Sequence, residues 1–195
     1  MTPPERVDLG DVVLERVRPA HAALVARAVA ESLDHLRPFM PWAAPEATDP
    51  EFQRGRIETL QEQWSSGESY EYVLLDRAGA RVLGSFGLMT RRGRGTLEIG
   101  YWVHAGEVGR GLATRAVAAL TDAALRVRGV RKVLVYCDEA NAASAAIPRK
   151  LGFTLVRVEE VAPSAPGETG RQLVWMRDRP VATDARGGHP QGTGQ

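Results

Sequence analysis

The chain has 195 residues, 44% of them hydrophobic and 25% charged, a composition that suits one globular domain with a sizeable core and excludes a disordered or fibrous protein. A net charge of +1 gives the surface no overall hold on nucleic acid or on an anionic membrane, so neither is expected as a partner. The single cysteine, Cys137, excludes an internal disulfide and a cysteine-based zinc cluster, and His21, His35 and His104 are scattered without ligand spacing, so no metal is expected.

Met1-Thr2-Pro3-Pro4-Glu5 lacks a basic-then-apolar signal pattern and no apolar run is long enough to span a bilayer, so a cytoplasmic protein is expected by default. A first strand is predicted over 12–17. Pro19 then opens a helix over 19–36, with Ala22, Val25, Val29 and Leu33 on one face. Pro38-Phe39-Met40-Pro41-Trp42 stops that helix and forms an apolar loop. A second helix, 50–64, is capped by Asp49 and ends before Gly67. Strands over 70–75 and 82–89 flank the turn 77–80 as a hairpin, and Gly93-Arg94-Gly95 turns the chain into a further strand, 96–104. A glycine-spaced loop leads into a long helix, 112–128, with Val117, Leu120, Ala124 and Val127 toward the core, and a buried-type strand follows over 131–137. Asn141 starts a short helix that ends at Leu151-Gly152, and strands over 153–161 and 171–176 close the sheet. The glycine-rich tail, 179–195, is expected to be disordered, leaving one domain over 8–178.

This order gives a mixed α/β (α+β) fold: a central, mostly antiparallel sheet of about seven strands with flanking helices. The strand at 96–104, the helix at 112–128 and the strand at 131–137 form one right-handed crossover between parallel strands.

The strongest chemical signal is the strand that runs through this glycine loop into a helix N-terminus. The first amides of a helix lack internal partners and its dipole favours negative charge there. Gly109 and Gly111 allow positive φ and close approach, so several amides can converge on a phosphate, with Arg110 and Arg115 as rim charges. A phosphate-binding P-loop would need Gly-Lys-Ser/Thr where Gly111-Leu112-Ala113 stands. A dinucleotide fingerprint would need glycine at Thr114, and Asp138 matches its acidic position only loosely. From spacing alone, a plain strand-to-helix turn remains open beside anion binding.

Val108-Gly109-Arg110-Gly111-Leu112-Ala113-Thr114, preceded by Glu98-Ile99-Gly100-Tyr101-Trp102-Val103 and followed by Asn141-Ala142-Ala143-Ser144 and Lys150-Leu151-Gly152-Phe153, resembles the GNAT superfamily of N-acyltransferases. Within it, the chain is most similar to the branch that acetylates N-terminal alanines of ribosomal proteins, of which Leu36-Arg37-Pro38-Phe39-Met40-Pro41-Trp42 is also typical. The likeness covers roughly 12–176.

The resemblance implies a V-shaped split in the sheet, with the strand at 96–104 bulging near Tyr101-Trp102. Backbone groups of Trp102 and Val103 would pair with the pantetheine amides of acetyl-CoA, the loop from Val108 to Ala113 (Gly109, Arg110, Gly111, Leu112) would hold the pyrophosphate, and Asn141 would hydrogen-bond the pantetheine arm. Val108 departs from the Arg or Gln usual at the head of this loop, which implies weakened phosphate binding. The tyrosine acid of many members is replaced by Pro148, and Ser144 matches the serine proposed as acid in the ribosomal-alanine branch. Pro148 also removes the amide that would bond the Ser144 carbonyl and should kink the helix, freeing that carbonyl for another partner.

Glu98 is the carboxylate expected to point into the split as base, with Glu159 and Glu160 as further candidates. Phe39, Met40 and Trp42 read equally as core residues or as walls of the acceptor pocket, and the resemblance favours the pocket. Cys137 reads as a core cysteine and Arg91-Arg92-Gly93-Arg94 as a solvated turn. The expected reaction is transfer of acetyl from acetyl-CoA to a primary amine, on a protein N-terminus or a small molecule, in a ternary complex. A succinyl-type donor and a non-catalytic acyl-CoA-binding module stand as alternatives, and a homodimer is left open.

Overall fold

The protein is described here by a computed structural model covering residues 2–180. One sheet of eight strands runs through it: β1 (Arg6–Asp8), β2 (Val12–Arg16), β3 (Ser69–Asp76), β4 (Val82–Met89), β5 (Thr96–Val103), β6 (Lys132–Asp138), β7 (Thr154–Glu160) and β8 (Arg171–Asp178), in the order β1-β2-β3-β4-β5-β6-β8-β7. Every neighbouring pair is antiparallel except β5 and β6, which the crossover makes parallel. The sequence reading missed β1. Three residues around the positive-φ turn at Gly10 carry too little apolar alternation to read as a strand. The expected disordered tail lies, from 181 onward, outside the described residues. Arg179 still belongs to the fold, since its amide donates to the Arg131 carbonyl at 2.8 Å.

The helices are α1 (Ala22–Ala30), α2 (Leu33–Leu36), α3 (Pro50–Ser66), α4 (Leu112–Arg126) and α5 (Ala142–Lys150). The expected single helix over 19–36 is broken into a 3₁₀ turn and two helical pieces. The break has a tertiary cause: Ser32 is buried and its Oγ accepts the Ala105 amide at 3.0 Å, while Glu31 meets His104 Nε2 at 2.9 Å. That pair of contacts fixes the chain just after β5. Helix α3 follows its sequence signals closely. Asp49 caps it by accepting the Glu51 amide at 2.8 Å, and Gly67 ends it in the left-handed conformation at φ 80°.

Two apolar clusters sit on opposite faces of the sheet. Tyr72, Leu74, Phe86, Leu88 and Ile99 pack under Leu112, Val117 and Leu120 of α4, and Val73, Leu75, Val82 and Trp102 pack under Val25 and Val29 of α1 and Ile57 of α3. These faces follow from strand alternation, which sends neighbouring residues of β3 to opposite sides. The sheet therefore has an α4–α5 face and an α1–α3 face, and the split between β5 and β6 connects them.

Candidate active site

β5 and β6 pair over only four positions, from Thr96↔Lys132 to Ile99↔Val135. Beyond them β5 stays on β4 through Val103, and β6 stays on β8 through Asp138. The two strands thus part at Gly100, leaving the β5 edge from Gly100 to Val103 without a ladder partner. An open strand edge is a template for an extended, amide-bearing ligand. The expected split is present, but the expected bulge is not: the β4–β5 register runs unbroken from Met89↔Glu98 to Gly84↔Val103. Divergence of β6 alone opens the V.

The glycine loop lies at the mouth of this V. Gly109 and Gly111 take φ of 78° and 74°, which a side chain would strain, and nothing stands within 4 Å of where a Cβ would be. Their glycine requirement is therefore one of backbone conformation, with free space in front. Gly111 is the N-cap of α4 and no side chain caps the helix, so its first amides are left for a ligand.

A cavity of about 710 Å³ joins these parts. Trp102, Val103, Val108, Gly109, Gly111, Leu112, Ala113, Asn141 and Ser144 all contribute to its wall, as do Phe39 and Met40. Asn141 caps α5 by accepting the Ser144 amide through Oδ1 at 3.1 Å, which leaves its side-chain NH₂ to donate to a ligand. Lys150 is a further cation of the wall and has no ion pair among the described residues. No group of three or more His, Cys, Asp or Glu side chains is arranged to hold a metal ion among the described residues.

Other expected site residues stand outside the wall. Arg110 turns back to Glu107, which Arg81 holds from its other side at 3.1 Å. Arg115 is bound to Asp11 and to the Leu9 carbonyl. Both arginines expected as rim charges are thus paired with carboxylates. Trp42 packs against Trp102, ring centroids 6.1 Å apart, and so buttresses the wall from behind. Glu98 is buried on the α1–α3 face, with both carboxylate oxygens taken by Arg91 and Arg92. The Arg91–Arg92 turn is exposed, as read from sequence, while its guanidinium groups reach the buried carboxylate and Arg92 also covers the Tyr136 ring. Glu159 is held by Arg157 at 2.5 Å and Glu160 by Arg171 at 3.4 Å.

Tyr101 is the site residue that sequence reasoning missed. It lines the cavity, and its hydroxyl lies 3.2 Å from the Ser144 carbonyl and 3.1 Å from Ser144 Oγ. Burial pushes its phenol well above the ordinary range, opposed by the Ser144 hydrogen bond, so it stays a protonated donor. The available signal was Pro148, whose missing amide leaves the Ser144 carbonyl open. Cys137 is buried and free, and burial pushes its thiol up, as suits a core cysteine.

The family profile described as Acetyltransferase (GNAT) domain matches residues 11–154. No curated protein matches the chain at a significant level. Among solved structures, the ribosomal-protein-S5-alanine acetyltransferase from Vibrio fischeri is similar with a TM-score of 0.81 at 18% identity, over 89% of this chain and 96% of that one. The microcin C7 self-immunity acetyltransferase MccE, solved with acetyl-CoA and AMP, gives 0.81 at 19% identity over 90% and 97%. Mycobacterium smegmatis RimJ, solved with a CoA disulfide, gives 0.80 at 21% identity over 91% and 90%.

Proposed function

The chain belongs to the GNAT acetyltransferase family, and from that premise we propose that this acetyl-CoA-dependent N-acetyltransferase modifies a primary amine, on a protein N-terminus or a small molecule, in the cytoplasm. The observation that carries the reading is the continuity of one cavity from the uncapped N-terminus of α4, along the unpaired edge of β5, to Ser144. That path suits acetyl-CoA: anionic pyrophosphate at the helix dipole, pantetheine amides on the open edge, thioester at the apex of the split. Similar structures named as a ribosomal-protein-S5-alanine acetyltransferase and a microcin C7 self-immunity acetyltransferase favour acceptors with a free amine. Among the described residues no helix is long and apolar enough to cross a membrane.

In this reading the fold aligns a neutral amine with the thioester carbonyl, which turns an encounter of two molecules into a reaction within one complex. Open backbone amides of β5 stabilise the oxyanion. Ser144 donates a proton to the departing sulfur, and Tyr101 orients Ser144 from the other side of the cavity. Glu98, neutralised by two guanidinium groups, receives no part in proton transfer.

The test is release of free thiol from acetyl-CoA and succinyl-CoA in the presence of small amines and of peptide amides beginning with alanine or serine. Acetyl-CoA turnover with an amine supports the reading. Succinyl-CoA turnover alone would change the donor, and cofactor binding without turnover would make the chain an acyl-CoA-binding module.

A further inference from the structure

An ammonium group must lose a proton before it can attack, and the carboxylates that the sequence offers for that task are engaged by arginines. Glu71 of β3 is an exception. It has no ion pair among the described residues; its Oε1 accepts from Ser85 Oγ at 2.6 Å, and its Oε2 lies over Gly87, where a Cβ would collide with it. Glycine at 87 is what makes room for the carboxylate.

Glu71, Gly87 and Gly100 are successive partners across β3, β4 and β5. The glutamate side chain thus lies sideways along a strip of glycines that carries no side chains of its own, and the strip ends where the Met89 methyl overhangs Gly100, at the point where β5 leaves β6. With strands about 4.8 Å apart, a carboxylate above Gly87 stands roughly one strand spacing from the apex of the split. Trp102, directly across from Ser85, bounds the strip on the cavity side, and Trp42 packs behind it.

The charged groups around Glu71 leave it available. From α3, Arg56 is the cation it senses, and that guanidinium sits over the Trp42 ring, 5.7 Å from its centroid. On β2, Glu15 shares the face and is held by Arg6 at 2.9 Å. On β4 the neighbours are Ser85 and Gly87, and on β5 Glu98 is held by Arg91 and Arg92. Burial pushes the Glu71 carboxyl above its ordinary value, opposed by Arg56 and the Ser85 hydrogen bond, which brings it nearer to the pH at which a base works.

We propose that Glu71 receives the acceptor's ammonium group on the α1–α3 face of the split and takes its proton. The inference rests on the proposed transferase function. An R–NH₃⁺ entering on this face gives one proton to a Glu71 oxygen, directly or through one water. The freed lone pair forms the C–N bond at the thioester carbonyl carbon, and the C–S bond breaks with its electron pair on sulfur. Ser144 protonates that sulfur and is itself restored by the second N–H proton, and Glu71 returns the first to water, so each turnover releases one proton.

The test is Glu71→Gln, which keeps an acceptor for Ser85 Oγ and removes the base. With a peptide amide beginning with alanine, kcat/KM should fall about a hundredfold at pH 7. The gap should close to within about threefold at pH 9, where an α-amine sheds its proton unaided. The KM for acetyl-CoA should stay unchanged. Wild-type kcat/KM at pH 7, or an equal loss at every pH, overturns the inference. Ser85→Ala provides a second readout, because removing the donor should move the acid limb of kcat/KM to higher pH; an unmoved limb overturns the inference even if the glutamine variant does not fold. Absence of turnover by the wild-type protein with every amine and peptide removes the transferase reading and this inference with it, whereas undiminished turnover by Glu71→Gln removes this inference alone.

Discussion

Tyr101 donates to a backbone carbonyl that has no helical partner: its hydroxyl is 3.2 Å from the Ser144 oxygen, and the residue four places on, Pro148, has no amide to offer. A defect in α5 is thereby tied to β5 across the cavity. Tyr101→Phe should cost about 1–3 kcal/mol, the penalty of an unsatisfied buried carbonyl. In a Pro148→Ala background, where the helix amide is restored, the same substitution should cost less by about 0.5 kcal/mol or more. Urea unfolding of the four proteins measures the coupling, and strict additivity would show that the two residues act independently.

Ser144 meets Tyr101 through its hydroxyl as well, at 3.1 Å, and stands in the cavity wall. The CoA thiol should titrate near the free-cysteine value of about 8.5, so its thiolate leaves tolerably without help. Ser144→Ala should therefore lower kcat by about ten- to a hundredfold without abolishing transfer. Acetyl-CoA affinity, which the proposed function assigns to the glycine loop and Asn141, should hardly change. A wild-type kcat removes the acid role, and a matching loss of affinity makes Ser144 a binding residue.

Val108 lines the cavity with 52% of its surface exposed, and the two arginines nearest in sequence are committed to Glu107 and Asp11. Val108→Arg should tighten acetyl-CoA binding by about 0.5–1.5 kcal/mol through a charge-assisted contact, measured by calorimetry. The gain should shrink as salt is raised. An unchanged affinity would leave Lys150 as the cation that already serves the phosphates.

Asp138 ties the end of β6 to the β7–β8 connection. Burial pushes its carboxyl up, but the amides of Ala140, Thr169 and Gly170 and the Thr169 hydroxyl outweigh this and hold it below the usual range. A depressed folded-state pKa gives stability that is full above the unfolded value of about 3.9 and is lost as pH falls through the folded value. Asp138→Asn should lower the Tm at pH 7, and the difference should shrink as pH falls below the unfolded carboxylate value of about 3.9. A constant difference would mean that packing, not charge, holds the connection.

Local signals were legible in the sequence. Asp49 and Gly67 delimit α3 because capping acts within a few residues. Gly109 and Gly111 announce a positive-φ turn into a helix because no other residue accepts that backbone cheaply. Pro148 announced a free carbonyl because the missing amide is a covalent fact. What the sequence could not assign was the partner of each charge and the face of each strand. Glu98 meets Arg91 and Arg92 because the β4–β5 hairpin folds that turn over the strand, and the buried Glu107 pairs with the exposed Arg81 and Arg110. The helix predicted over 19–36 breaks at Ser32 to bind the Ala105 amide, a contact between residues 73 apart. Side-chain commitments of this kind depend on register and on which elements the sheet brings together, and a single chain read in order holds neither.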